Sequence, residues 1–332
     1  MKIAINGFGR IGRTILRAWI VGNNKDIEIS HINSTSSISE SLHLLEFDST
    51  FGRLKADIKI ISESEFSING KKITLSSERD PAKIDWSKFD AVMECTGKFL
   101  TQESVKPHFQ AGAKKIIFSA PAKDKNTTTC ILGVNQQVLE LNDSAVSIGS
   151  CTTNCLAPIV KIINDNFGIK NGFVTTVHAY TSDQNILDNS HTDLRRARSA
   201  AVSMVPTSTG VAKALSVVLP DVGSKIDGSA IRVPVCNVSV VDLTVSIEQN
   251  TTADDVNKIF EQYANGEMKG VLGIEKRPLV SCDFIGSSFS STVDTLETRL
   301  IGGNLLRVLA WYDNEWGFSN RMLDVARIIS GR

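Results

Sequence analysis

No run of apolar residues in this 332-residue chain approaches the roughly 20 that a membrane-spanning helix needs, so no span is expected. An excess of one charge is also missing. Lys plus Arg and Asp plus Glu both number 36, which argues against nucleic acid or a membrane surface as the primary partner, although Arg195 to Arg198 could form a local basic patch. The six cysteines (Cys95, Cys130, Cys151, Cys155, Cys236 and Cys282) lack the paired spacing of zinc ligands. No metal is therefore expected, and free thiols point to a reducing, cytoplasmic setting. There is no internal repeat, low-complexity tract or flexible linker. What remains is a 42% apolar chain, long enough for two domains on a prior of roughly 150 residues each.

The N-terminus is the first informative stretch. Lys2-Ile3-Ala4-Ile5-Asn6 reads as a buried strand and runs into Gly7-Phe8-Gly9-Arg10-Ile11-Gly12-Arg13. A helical pattern follows, with Ile11, Ile15, Leu16, Trp19 and Ile20 on one face. Strand, GxGxxG and helix in this order predict a dinucleotide-binding Rossmann unit. The first Gly makes the tight turn, the second admits the pyrophosphate to the backbone, and the third lets helix and strand pack closely. The phosphates lie on the helix N-terminus. A turn starting at Gly7 leaves no room for a signal peptide ahead of it, so none is expected. Past the next strand, Ile27 to Ile32, the chain reads Asn33-Ser34-Thr35-Ser36-Ser37, without the carboxylate that would hold an NAD ribose. A 2′-phosphate would meet hydroxyls there; alternatively Glu40 reaches back to the ribose. Strands at Ala91 to Cys95, Lys115 to Phe118 and Val146 to Gly149, with a helix over Gln102 to Gln110, continue the alternation. A doubly wound parallel sheet over residues 1–150 is expected.

Cys151 follows that last strand directly and opens an amphipathic helix whose Leu156, Ile159, Val160, Ile163 and Phe167 anchor it to a core. Unpaired N–H groups and the helix dipole at this end favour thiolate over thiol. His178 ends a strand-like segment from Phe173, so the two form a candidate nucleophile–base pair. Most cysteines and histidines only pack, and spacing alone leaves that reading open. Cys155, one helical turn on, could pair oxidatively with Cys151, but a buried packing role is favoured. Long alternating strands at Ser239 to Ile247 and Leu305 to Trp311 then suggest a second, α+β domain over 151–314. It is built on a mixed, largely antiparallel sheet, with a helix from Ala253 to Tyr263 capped by Thr252.

Together these motifs resemble the phosphorylating glyceraldehyde-3-phosphate dehydrogenases from Ile5 to about Val325. The Gly7–Arg13 turn, Ser150-Cys151-Thr152-Thr153-Asn154, His178-Ala179-Tyr180-Thr181, Asp193 to Arg198, Pro206 to Gly210, Ile231 to Pro234 and Trp311 to Glu315 occur in the family's order. The resemblance implies attack of Cys151 on an aldehyde with His178 as base, hydride transfer to a nicotinamide, and release of the thioester by inorganic phosphate as an acyl phosphate. It places the two phosphates on Ser150, Thr152, Thr181, Arg196, Thr209, Gly210 and Arg232. Cofactor contacts fall to Gly7, Phe8, Gly9, Arg10, Ile11, Gly12, Arg79, Ser119 and Asn314. Ser34 stands where the family usually has a ribose-binding Asp, and Ser190 resembles members that accept NADP, so NAD or NADP is expected, with either dual specificity or a lean to NADP. Arg195 and Arg198 are expected to face solvent or a subunit contact.

The resemblance further implies a helix over 315–332 that returns to the first domain, a loop over 181–198 that meets a neighbouring subunit's cofactor, a homotetramer, and work in glycolysis or gluconeogenesis. Two alternatives differ in substrate or class. Erythrose-4-phosphate dehydrogenase shares the fold, and Glu315 to Arg321 is similar to it, but His178 to Thr181 and Thr207 to Gly210 favour the triose. A non-enzymatic binding protein on a retired scaffold is opposed by the intact nucleophile, base and anion set.

Overall fold

In β1 (Lys2–Asn6) every side chain after Lys2 is buried, the pattern of a strand covered on both faces. The computed structural model describes residues 1–22, 24–141 and 144–330, which cluster into two units. The first comprises Met1–Cys130, Gln136–Gly149 and Ser319–Arg332. Its further strands are β2 (Glu28–Asn33), β3 (Ile58–Ser62), β4 (Glu65–Ile68), β5 (Lys71–Ser76), β6 (Ala91–Glu94), β7 (Ile116–Phe118), β8 (Thr128–Thr129) and β9 (Ala145–Ser147). They line up as β3-β4-β5-β2-β1-β6-β7-β9-β8. From β5 to β8 all pairs are parallel, while β3, β4 and β5 add an antiparallel edge absent from the sequence reading. The strand order reverses between β1 and β6, the kind of switch point where ligands bind beyond the carboxyl ends of strands.

Helix α1 (Arg10–Val21) buries Ile15, Leu16 and Trp19 as the periodicity predicts, with Ile11 and Ile20 half-buried. It also buries Arg17, whose guanidinium donates to the Leu45 and Gly52 carbonyls, both at 2.6 Å. Helix α2 (Ile38–Glu46) starts on a capping box in which Glu40 accepts from the Ser37 N–H and hydroxyl. Helix α3 (Lys106–Gln110) is shorter than the predicted 102–110. Thr101 and Ser104 bond each other's backbone N–H through their hydroxyls, both at 3.0 Å, and Pro107 has no N–H to extend the ladder backwards.

The second unit holds Ile131–Asn135 and Ser150–Phe318. Segment 131–135 was expected in the first domain; Ile131 and Val134 are instead buried in the core formed by α4 (Cys151–Phe167) and the second sheet. That sheet contains β10 (Ile169–Ala179), β11 (Val205–Ser208), β12 (Ile226–Val233), β13 (Ser239–Ile247), β14 (Leu272–Glu275), β15 (Ser291–Asp294), β16 (Arg299–Ile301) and β17 (Leu305–Tyr312). The order is β11-β12-β10-β13-β17-β15-β14, with β16 on β17. Only β10–β12 and β14–β15 are parallel. Helices α5 (Val211–Val218), α6 (Pro220–Gly223) and α7 (Ala253–Asn265) complete it, α7 capped by Thr252. The last helix, α8 (Trp316–Ser330), divides between the units after Phe318; residues 331 and 332 of the expected 315–332 helix lie outside the described residues.

Candidate active site

β10 alternates, and Val174, Thr176 and His178 all point into the core against α4. The partner helix, α4, precedes β10 in the chain and begins shortly after β9: Ser150 caps it, its hydroxyl accepting from the Thr153 N–H at 3.1 Å, and Cys151 is the first helical residue. The two elements bring Cys151 Sγ to 3.6 Å from His178 Nε2. His178 Nδ1 lies 2.7 Å from the Ala179 carbonyl oxygen and 3.1 Å from Arg232 Nη1; the shorter contact, to an atom that can only accept, needs a proton between them. Nδ1 therefore carries the hydrogen, and the Nε2 lone pair faces the sulfur.

Arg232 reaches the same place by register. On parallel strands β10 and β12 it is the partner of His178, and Nη1 donates to the Ala179 oxygen at 3.1 Å and to Thr181 Oγ1 at 3.4 Å. Burial, reinforced by Arg232, pushes the His178 imidazole down to about 3, so it stands neutral. Cys151 departs from expectation. Burial raises its thiol above the ordinary value, more than the Arg232 charge, the Thr152 hydroxyl and the Thr152 and Cys151 N–H groups lower it. The helix end does stabilise a thiolate, but desolvation, which sequence does not display, outweighs it. The resting pair is thiol and neutral imidazole.

A hydroxyl relay escaped the sequence reading. Tyr312, the last residue of β17, places its OH 3.0 Å from Thr152 Oγ1 and 2.8 Å from Thr176 Oγ1, and its ring meets His178 edge-on at 5.9 Å. Alternation along β10 and β17 turns Thr176 and Tyr312 inward but does not show that they meet Thr152. Ser239 is a second bridge: its Oγ accepts from the Ala179 N–H and donates to Asn314 Oδ1, both at 3.0 Å. It follows Val238, a β-branched residue held at φ 67°.

The other anion candidates lie on further segments of the same unit. Arg196 is ion-paired to Asp183 and donates to Thr207 Oγ1 at 3.0 Å, and its charge helps depress His178. Thr209 and Gly210 open α5, Gly210 as its N-cap; no bond joins them to Cys151 or His178 among the described residues. Arg195 is exposed against the Pro206 oxygen, and exposed Arg198 pairs with Asp188 at 2.8 Å. Cys155 is fully buried with Sγ 3.3 Å from Ser291 Oγ, a packing position.

In the first unit the three glycines of the turn do different work. Gly7 has φ 98°, and a Cβ on it would lie 2.7 Å from the Thr96 nitrogen; one on Gly12 would lie 2.2 Å from the Gly7 oxygen. Gly9, exposed, has nothing within 4 Å of that position, leaving open space at the start of α1. This is a cradle that fits a pyrophosphate. Arg10 turns its side chain to Asp48, Phe8 is buried, and Ile11 is half-buried. Ser34 is buried, 3.4 Å from Ser41 Oγ, and Glu40 is committed to its capping box, which disfavours its reaching back to a ribose. Arg79 is exposed, and the Ser119 N–H donates to the Glu94 oxygen at 3.0 Å. Among the described residues no group of three or more His, Cys, Asp or Glu could hold a metal, and no helix is long and apolar enough to cross a membrane.

Residues 1–102 match the family profile described as the NAD binding domain of glyceraldehyde 3-phosphate dehydrogenase, and residues 150–314 match that of its C-terminal domain. Glyceraldehyde-3-phosphate dehydrogenase 2 of Synechocystis sp. is 50% identical over 332 residues, covering 99% of this chain and 98% of its own. The chloroplastic glyceraldehyde-3-phosphate dehydrogenase A of Chlamydomonas reinhardtii is 48% identical, over 99% of this chain and 88% of its own. Glyceraldehyde-3-phosphate dehydrogenase 1 of Bacillus cereus is 46% identical, over 100% and 99%.

Proposed function

Because the chain belongs to the glyceraldehyde-3-phosphate dehydrogenase family, we propose that Cys151 and His178 are the nucleophile and base with which it oxidises the aldehyde of glyceraldehyde 3-phosphate. It is an oxidoreductase that uses a nicotinamide dinucleotide. Erythrose 4-phosphate is not favoured as substrate, since the relatives carry the triose name. The observation that carries the assignment of roles is the Nε2 lone pair of a neutral His178 standing 3.6 Å from Sγ.

From this geometry the steps follow. As Sγ attacks the carbonyl carbon, its proton passes to Nε2, and the Arg232 charge steadies the forming thiolate. The N–H groups of Cys151 and Thr152, at the start of α4, hold the oxyanion, which takes the proton back to give a hemithioacetal. Nε2 then accepts the hydroxyl proton as the carbon loses hydride, leaving a thioester on Cys151. The nicotinamide, when bound, takes up that hydride; Asn314, oriented by Ser239, would hold its carboxamide. Phosphate adds to the thioester, and Cys151 departs as thiolate, giving the acyl phosphate. Arg232, Arg196 and the Thr181, Thr209, Ser150 and Thr152 hydroxyls, with the Gly210 backbone, would hold the two phosphates, since guanidinium forks and hydroxyls match phosphate oxygens.

Cofactor choice follows from charge. With Ser34 in place of the family's usual carboxylate and Glu40 committed to its capping box, neither residue opposes a 2′-phosphate, and we assign either dual use of NAD and NADP or a lean to NADP. A homotetramer is supported by the apolar side chains exposed along and after the 181–198 loop: Ile186 and Leu187 at 76%, Leu194 at 81%, Val202 at 80% and Met204 at 74%. A cytoplasmic enzyme of glycolysis or gluconeogenesis fits six free cysteines. Initial rates with the triose and tetrose phosphates, each with NAD or NADP and with or without phosphate, test the whole assignment. Phosphate-dependent reduction with the triose is expected; phosphate-independent turnover overturns the acyl-transfer step, and preference for the tetrose overturns the substrate.

A further inference from the structure

One buried polar row plays no part in the chemistry above. Glu94, the last residue of β6, is 0% exposed. Its Oε1 accepts the Thr96 N–H at 2.8 Å and the Thr96 hydroxyl; its Oε2 accepts Asn6 Nδ2 at 2.6 Å and His108 Nε2 at 3.1 Å. A carboxylate offers about four acceptor positions, and all are filled. The row continues: Asn33 Nδ2 donates to Asn6 Oδ1 at 2.8 Å, and Asn33 Oδ1 accepts the Ser76 hydroxyl at 2.8 Å and the Glu78 N–H at 2.9 Å. Ser76, Asn33, Asn6 and Glu94 are the final residues of β5, β2, β1 and β6, four consecutive strands of the sheet.

Packing alone does not call for such a row, because apolar residues fill a sheet end without the cost of desolvating a carboxylate. Its position does. Asn6 precedes the glycine turn, and Glu94 precedes the turn at Cys95 and Thr96. These turns touch, since a Cβ on Gly7 would lie 2.7 Å from both the Cys95 carbonyl carbon and the Thr96 nitrogen. One carboxylate thus anchors both turns, one through Asn6 and the other through Thr96, at the switch point of the sheet. We propose that Glu94 is the positioning residue of the cofactor crevice, holding these two turns in the geometry that receives the dinucleotide. The proposal rests on the Gly7 to Gly12 segment being the dinucleotide turn.

Glu94→Gln tests it at constant volume. Its amide group must turn NH₂ toward one pair of donors, so one turn loses its anchor and binding has to order it afresh. The probe is ADP-ribose, the dinucleotide without its nicotinamide, titrated calorimetrically alongside NAD and NADP. Binding is expected to weaken about tenfold, with cofactor KM rising in parallel and kcat at saturation within about twofold. A core variant, Ile73→Val in β5, is expected to lower Tm while leaving ADP-ribose affinity unchanged. Glu94→Gln with lowered Tm but wild-type affinity would reduce Glu94 to a packing residue and overturn the proposal. Should Glu94→Gln not fold, the partly exposed Thr96 supplies the test: Thr96→Val weakens binding several-fold and Thr96→Ser retains it, whereas equal affinities in both overturn the proposal. A wild-type protein that binds none of the three probes overturns the dinucleotide reading itself, and the proposal with it.

Discussion

The imidazole of His178 and the guanidinium of Arg232 converge on a single acceptor, the Ala179 carbonyl oxygen, at 2.7 and 3.1 Å. That shared oxygen fixes the tautomer that aims Nε2 at Cys151 and brings a fixed positive charge beside the sulfur. The Arg232 charge lowers the Cys151 pKa, so its loss must raise it further. Arg232→Ala is therefore expected to move the inflection of Cys151 alkylation by iodoacetamide upward by about one pH unit or more, slowing alkylation at neutral pH about tenfold. An unmoved inflection would remove Arg232 from the electrostatics of the thiol.

The base itself is tested by His178→Asn. The variant is expected to lose about 10²- to 10⁴-fold in kcat, the range for a positioned general base, and Cys151→Ser to lose turnover altogether. Full turnover of Cys151→Ser would end the covalent mechanism.

Tyr312 links Thr152 to Thr176 in one buried hydroxyl chain. Tyr312→Phe is expected to cost about 1 kcal/mol in denaturant unfolding, and adding Thr176→Val to it should cost less than that change does alone, since the pair is already broken. Additive losses would mean the hydroxyls do not act together.

On the cofactor assignment proposed above, Ser34→Asp introduces a carboxylate beside the 2′-phosphate. The ratio of kcat/KM for NADP over NAD is expected to fall at least about tenfold, the effect of one close like-charge contact. A constant ratio would show that selection between the two dinucleotides lies elsewhere.

The glycine turn separates stability from binding. A Cβ at Gly12 collides with the Gly7 oxygen at 2.2 Å, so Gly12→Ala should lower stability by about 1 to 3 kcal/mol. At Gly9 the space is empty, so Gly9→Ala should keep its Tm and lose cofactor affinity in calorimetry. Equal loss of Tm in both variants would contradict this division.

These contrasts also show how much was legible in advance. The strand, turn and helix at the N-terminus are written in local requirements, a positive φ at Gly7 and contact at Gly12, which the residue type alone reveals. The α4 start at Cys151 and the alternating face of β10 are readable for the same reason. The relay through Tyr312 is not, because Thr152 and Tyr312 meet across 160 residues of chain and only the folded sheet brings them together. The burial that opposes the helix end at the Cys151 thiol is a property of surroundings and not of spacing. The helix expected over 102–110 is shortened to Lys106–Gln110 because Pro107 has no N–H to extend the ladder and the Thr101–Ser104 exchange occupies the N–H groups before it. The row from Ser76 to Glu94 was invisible because its members occur singly, one at the end of each strand.

The pairing of Gly172–Ala179 with Ile226–Val233 has a consequence for how this chain can vary. Backbone hydrogen bonds, and not the intervening chain, set His178 opposite Arg232. The length of the chain between Thr181 and Lys225 does not set that distance, while a single deletion inside either strand turns one side chain to the opposite face. The nucleophile–base–guanidinium geometry is thus held by two paired strands, while the crossover between them, with β11 and two helices, supplies the phosphate-holding groups proposed above.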